Sequence, residues 1–213
     1  FIINMSPYMP QDSQKKDVFV ELSFRVENNL SWQDVLQQNL LPFQLDTYKP
    51  FSRKTLSSPL IWSGDIEITG TQIINRPLII QAGSRVLLAE DASLIIKNRL
   101  LAIGTKENPI RFLPQNKSQL PWGTIALLGP AANDSILSHC EFSEGSGLKG
   151  DLFEYTAMLS IHAVQDAYIN NCTFTDNKLV DDMVHVVYSK VRFTNNVFSG
   201  AFSDALDIDI SEA

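Results

Sequence analysis

The chain has 213 residues, 44% of them hydrophobic, with ten Gly, ten Pro and two Cys. That is enough apolar content for a core, and it excludes collagen-like and low-complexity classes. A net charge of −7 argues against nucleic acid as a partner, because phosphate binding needs clustered Lys and Arg.

No apolar run approaches the roughly 18 residues that cross a bilayer, so no membrane insertion is expected. The chain opens on Phe1 and stops inside a repeat at Ala213, as an internal fragment or processed product does. Residues 1–58 read as an N-terminal strand and helix segment that caps the repeats beginning at residue 59. Val18, Val20, Leu22, Phe24 and Val26 alternate with polar neighbours, which predicts one long half-buried strand. Ser31 is a suitable N-cap for a helix that carries Trp32, Val35, Leu36 and Leu40 and ends at Pro42. A polar stretch from Leu45 to Pro59 reads as linker or covering loop.

From residue 59 to 213 the rhythm changes to short apolar triplets separated by turn residues. Ile66/Ile68, Leu78/Ile80, Val86/Leu88, Leu94/Ile96 and Ile110/Phe112 are examples, with Gly70, Gly83, Gly104 and Pro109 between them. Val86 to Ile110 is 24 residues and Leu78 to Leu101 is 23. Three short strands per turn of that length is the arithmetic of a right-handed parallel β-helix, an all-β solenoid of five to six turns. Its open end exposes sheet edges that need a cover, the role expected of the N-terminal segment.

Later turns carry a recurring motif: Cys140/Phe142, Cys172/Phe174 and Asn196/Phe198. Phe142 to Phe174 is 32 residues and Phe174 to Phe198 is 24, so eight extra residues fall in a loop spanning Gly145 to Glu154. Phe and Cys are expected to point inward. Asn170, Asn171, Asn177, Asn195 and Asn196 are expected to stack at corners and satisfy left-handed backbone there. Neighbouring rungs lie about 4.8 Å apart, short of the usual disulfide Cα separation of about 5.5 Å, which favours free thiols at Cys140 and Cys172.

The run LIIQAGSRVLLAEDASLIIKNRLLAIGTKENPIRFLP resembles the opening turns of bacterial right-handed β-helix repeat proteins of the pectin-lyase-like fold. Trp122-Gly123-Thr124-Ile125, the Cys/Phe rungs and the acidic rung Asp204 to Asp209 continue that resemblance, which covers about residues 62–213. More narrowly, the chain resembles the β-helix region C-terminal to spore-coat-protein-H-like (CotH) kinase domains. The resemblance implies a non-kinase module of a larger bacterial cell-envelope or secreted protein, extracellular or periplasmic. It carries over no kinase residue. The partners it implies are polysaccharide or a neighbouring domain of the same polypeptide.

The polar constellation that stands out is Asp181, Asp182, His185, Asp204, Asp207 and Asp209. A shift of 22 residues, close to one turn, sets Asp182 beside Asp204, His185 beside Asp207 and Val187 beside Asp209. Three readings are open. Asp207 and Asp209 can bind calcium through oxygen ligands, though no cofactor is required by the pattern. Asp182, His185, Asp204 and Asp207 can divide acid and base roles in a polysaccharide lyase, epimerase or glycoside hydrolase. The resemblance to β-helix lyases, in which a Lys or Arg takes the proton, makes Lys190 and Arg192 candidates for that role in a lyase, although Lys190 stands at a turn. The plain reading is ordinary solvation of an outer face. The leading expectation is a non-catalytic scaffold or polysaccharide-binding module, and the enzyme is its alternative. Trp62 and Trp122 could stack on sugars if exposed, and Trp122 is expected to pack at a corner.

Overall fold

The computed structural model describes residues 2–8, 19–25, 58–116, 120–150, 154–177, 179 and 181–212. The chain divides into two compact units, 1–55 and 56–213. In the first, β1 (Ile2–Tyr8) pairs antiparallel with β2 (Phe19–Arg25), setting Ile2 opposite Arg25 and Tyr8 opposite Phe19. β2 lies within the strand expected from alternation. The expected helix at 32–41 lies outside the described residues.

The second unit is all-β and advances three strands at a time. The first coil is β3 (Leu60–Trp62), β4 (Asp65–Ile68) and β5 (Thr71–Ile74). The second is β6 (Leu78–Ile80), β7 (Arg85–Leu88) and β8 (Ser93–Ile96). The third is β9 (Leu100–Ile103), β10 (Ile110–Pro114) and β11 (Ile125–Leu128). The fourth is β12 (Ser135–Ser138) and β13 (Cys140–Ser143), then a small hairpin of β14 (Leu148–Lys149) and β15 (Glu154–Tyr155), then β16 (Ala157–His162). The fifth is β17 (Ala167–Asn170), β18 (Thr173–Thr175) and β19 (Asp182–Val187). The sixth is β20 (Val191–Thr194), β21 (Val197–Ser199) and β22 (Asp204–Asp209).

Each strand pairs in parallel with its equivalents in the adjacent coils, giving three stacked sheets of six strands. The first sheet orders β3-β6-β9-β12-β17-β20, the second β4-β7-β10-β13-β18-β21, the third β5-β8-β11-β16-β19-β22. That arrangement fits a β-solenoid, in which parallel strands are joined by corners rather than crossover helices. No helix among the described residues is long and apolar enough to cross a membrane. Two registers differ from the simple counts. Leu78 pairs with Leu100, and Val86 pairs with Phe112. The turn at Thr105 to Asn108, closed by Asn108 N–H donating to Thr105 Oγ1 at 3.0 Å, absorbs the extra residues.

Alternation explains the core. In β13 the pattern Cys140 and Phe142 buried, Glu141 and Ser143 half-buried, repeats down the stack. Phe112, Phe142, Phe174 and Phe198 form one ladder, with successive ring centroids 4.5, 4.9 and 5.0 Å apart and planes within 11° of parallel. Cys140 and Cys172 lie in the next row as free, buried thiols. Trp122 is fully buried at the corner before β11, its Nε1–H donating to the Ser143 carbonyl at 2.8 Å. A Cβ on Gly145 would stand 2.6 Å from the Trp122 ring, so the glycine is what admits the indole.

In the fourth, fifth and sixth coils left-handed residues recur at the same three corners. His139, Asn171 and Asn195 (φ 50°, 50° and 54°) occupy one corner, and Glu144, Asp176 and Gly200 (58°, 59° and 75°) the next. Ala163, Tyr188 and Ile210 (56°, 49° and 48°) occupy the corner after the third sheet. In the fourth and fifth coils each corner N–H reaches the following coil: Asn171 N donates to Thr194 O at 3.0 Å, and Tyr188 N to Asp209 O at 3.1 Å. Asn196 clips coils together, accepting from Cys172 N and donating to Ile169 O, both at 2.9 Å. Asn171 and Asn195 thus hold left-handed corners and Asn196 and Asn177 bond between segments, as expected, whereas Asn170 ends β17 with its buried Oδ1 unpartnered.

Candidate functional site

The outer face of the third sheet changes character along the stack. In register order its central row runs Ile73, Ile95, Ala126, Ser160, His185, Asp207. The neighbouring row ends Leu128, His162, Val187, Asp209. The face is thus apolar in the early coils and polar in the late ones. The hairpin β14–β15 covers the apolar part. Leu148 and Tyr155 pair across it and pack with Ile95, Ala126 and Leu128. Beneath it lies a cleft of about 390 Å³, with Ile73, Ile95 and Leu128 at its floor and Lys97, Glu154 and His162 among its polar lining. From sequence this segment reads only as a corner loop. Its signal is the pair Leu148 and Tyr155, apolar residues among Gly, Lys, Asp and Glu.

Tyr155 meets the polar end through aromatic contacts. Its ring lies 5.0 Å from His162, and His162 meets His185 edge-on at 5.5 Å. Burial, with the His185 ring second, holds His162 down to about 4, so its imidazole is neutral at pH 7. Its Nε2 is buried and makes no hydrogen bond.

The expected register is present: Asp182 pairs with Asp204, His185 with Asp207 and Val187 with Asp209. The four acids do not share one environment, however. Asp182 is 3% exposed, whereas Asp204 and Asp209 face solvent and Asp207 is half-buried. Burial raises the Asp182 carboxyl above its ordinary value, opposed in part by a hydrogen bond from Thr156. Thr156 Oγ1 donates to Asp182 Oδ2 at 2.8 Å and lies 2.8 Å from His185 Nδ1. His185 Nε2 in turn lies 3.3 Å from Asp209 Oδ2 and 3.7 Å from Asp207 Oδ2. The ligating atoms of His185, Asp207 and Asp209 all fall within 4.8 Å of one another. Asp182 therefore belongs behind the site, acting through Thr156, while His185, Asp207 and Asp209 form its surface. Thr156 and His162 were not singled out by sequence. Both lie on the stretch after the insertion, outside the acidic run.

Lys190 and Arg192 sit elsewhere. Lys190 pairs with Glu212 at 2.8 Å, and Arg192, on β20 of the first sheet, lies over the Tyr168 ring at 5.8 Å. Neither joins the His/Asp cluster, so the proton-acceptor role expected of them in a lyase has no support. Trp122 is fully buried, which removes it as a sugar platform, whereas Trp62 is half-buried against the core.

Comparisons with protein-family models, with curated proteins and with solved structures each found no match.

Proposed function

We propose that this chain is a polysaccharide-binding module built on a right-handed parallel β-helix, part of a larger bacterial envelope or secreted protein. The observation that carries the reading is the hairpin-walled cleft of about 390 Å³ on the third sheet. Its apolar floor suits the C–H face of a sugar ring, while at its edge Lys97 suits a carboxylate or hydroxyl and Glu154 a hydroxyl. The cleft opens along a sheet face that continues to His185, Asp207 and Asp209, a surface long enough for successive sugar units. The bacterial envelope assignment rests on the sequence resemblance of residues 62–213.

A panel of acidic and neutral glycans, followed by calorimetry on the best binder, tests this. Ile73 is 53% exposed at the cleft floor, so Ile73→Asp should fold normally and lose binding at least tenfold. Binding unchanged in Ile73→Asp and in Lys97→Glu would move the site off this cleft. No binding to any glycan would leave a purely scaffolding role.

A polysaccharide-active enzyme is the second reading. One observation favours it: the His185 ring is held by Thr156 with Nε2 turned to two solvent-accessible carboxylates. Release of unsaturated or reducing-end products, lost in Asp207→Asn, would establish it. Intact glycan after prolonged incubation would exclude it.

A further inference from the structure

We propose that His185, Asp207 and Asp209 form a binding site for a divalent first-row transition-metal ion, zinc being the simplest occupant. A single proton fixes the histidine. Thr156 has one hydroxyl hydrogen, and it is given to Asp182 Oδ2 at 2.8 Å. Thr156 Oγ1 can then only accept from His185 Nδ1, 2.8 Å away, so Nδ1 carries a hydrogen. In the neutral ring that leaves Nε2 with a bare lone pair. This lone pair faces Asp209 Oδ2 at 3.3 Å and Asp207 Oδ2 at 3.7 Å. A cation placed between these three electron-rich atoms would be held by all of them.

Two charges can fill that place. A proton on Nε2 makes an imidazolium, and the trio keeps one net negative charge. A divalent ion brings the trio to zero. No lysine or arginine contributes: the ion pairs of these residues among the described part of the chain are Arg85–Asp65, Arg111–Glu141, Lys149–Glu154 and Lys190–Glu212. Asp181 and Asp204 add further negative charge to the same end of the sheet. A divalent ion can meet all three ligand atoms at once, since they lie within 4.8 Å of one another, whereas a single proton on Nε2 cannot.

Ligand chemistry decides which metal. A tetrahedral ion with bonds of about 2.0–2.1 Å sets its ligands roughly 3.3 Å apart. The two histidine–carboxylate separations, 3.3 and 3.7 Å, lie near that, and the whole trio falls within 4.8 Å. Calcium, with bonds of about 2.3–2.6 Å, tolerates similar separations but takes oxygen ligands. The imidazole nitrogen excludes it as the preferred ion and selects zinc, cobalt, nickel or copper. The Asp182–Thr156 pair supplies what such sites carry behind a histidine ligand, an acceptor that fixes the tautomer and aims the lone pair. Asp209 is 61% exposed and Asp207 42%, so the remaining coordination positions open to solvent or to a ligand oxygen. This site stands independently of glycan binding in the hairpin cleft.

The test uses the full 213-residue chain without a histidine tag, stripped with EDTA and dialysed. Calorimetric titration with zinc chloride should give one ion per chain, and calcium chloride should not compete for it. Cobalt chloride should give a visible d–d absorption band at the same stoichiometry. His185→Ala should abolish the site, and Thr156→Val should weaken zinc about 10–100-fold while leaving the ligands in place. Nitrogen-15 NMR of the unmodified chain needs no mutant: zinc should shift His185 Nε2 as a metal-bound nitrogen while Nδ1 keeps its hydrogen. Three results would overturn the proposal. They are absence of one-to-one zinc binding, equal zinc affinity in His185→Ala, and equal competition by calcium.

Discussion

Phe142 stacks on Phe174, ring centroids 4.9 Å apart and planes 11° from parallel, across two consecutive coils of the second sheet. The pairing is in register, Phe142 opposite Phe174 and Phe174 opposite Phe198. Phe174 touches a ring on each side and is fully buried. Phe174→Ala should therefore cost about 3–5 kcal/mol in denaturant unfolding, the range for a buried aromatic truncated to alanine. Phe198 packs on the core only in part, so Phe198→Ala should cost clearly less. Equal losses at both positions would show that the ladder is not the unit of stability.

What the sequence made legible was whatever depends on period two and on one full turn. Cys140 and Phe142 announce an inward face because a polar residue separates them, and β13 has that burial pattern. The acidic rungs were placed correctly because one shift of 22 residues aligns both ends of β19 with β22. The hairpin β14–β15 was not legible, since two-residue strands are too short to alternate. β1 escaped for a different reason: Ile2 and Ile3 are adjacent and Pro7 interrupts the run, so no alternation announces it. Asp182 was grouped with exposed acids because its hydrogen-bond partner, Thr156, comes from the previous coil.

The corners give a second prediction. Ala163 is exposed and holds φ at 56°, where a Cβ meets the following carbonyl at a cost of roughly 1–2 kcal/mol. Glycine avoids that clash but loses more chain entropy, roughly 0.5–1 kcal/mol. Ala163→Gly should thus stabilise the protein by up to about 1 kcal/mol. Ala157→Gly, a buried strand position, should instead destabilise it by at least about 1 kcal/mol. A loss of stability in Ala163→Gly would mean that the corner is relieved in some other way. Thermal melts of the three chains decide it.

Cys140 and Cys172 follow each other along the stack, both buried and both free. Burial pushes the Cys140 thiol well above its ordinary range, which suppresses the thiolate that reacts. The native protein should give no reaction with Ellman's reagent at pH 8, and two equivalents after denaturation. Fast reaction of either thiol in the native state would place it at the surface. Reaction of none after denaturation without reductant would indicate a disulfide.

Asp182 makes stability depend on pH in a direction unusual for a carboxylate. Burial is the largest influence on it and raises its pKa above the ordinary 3.8; Asp207 and Asp181 push the same way, while Thr156 and His185 oppose. A raised folded value means that the folded chain holds the proton more tightly than the unfolded one. The stability this group contributes is then fully present below about pH 3.8, and it is lost as pH rises through the folded value. Asp182→Asn carries no charge at any pH and keeps an oxygen to accept from Thr156. The melting temperature of Asp182→Asn minus that of the parent should therefore increase as pH rises from about 3.5 towards neutrality, then level off. Taking the difference removes the titrations that the two chains share. A difference that falls with rising pH would show instead that the Thr156 bond outweighs burial and that Asp182 is stabilised as the anion.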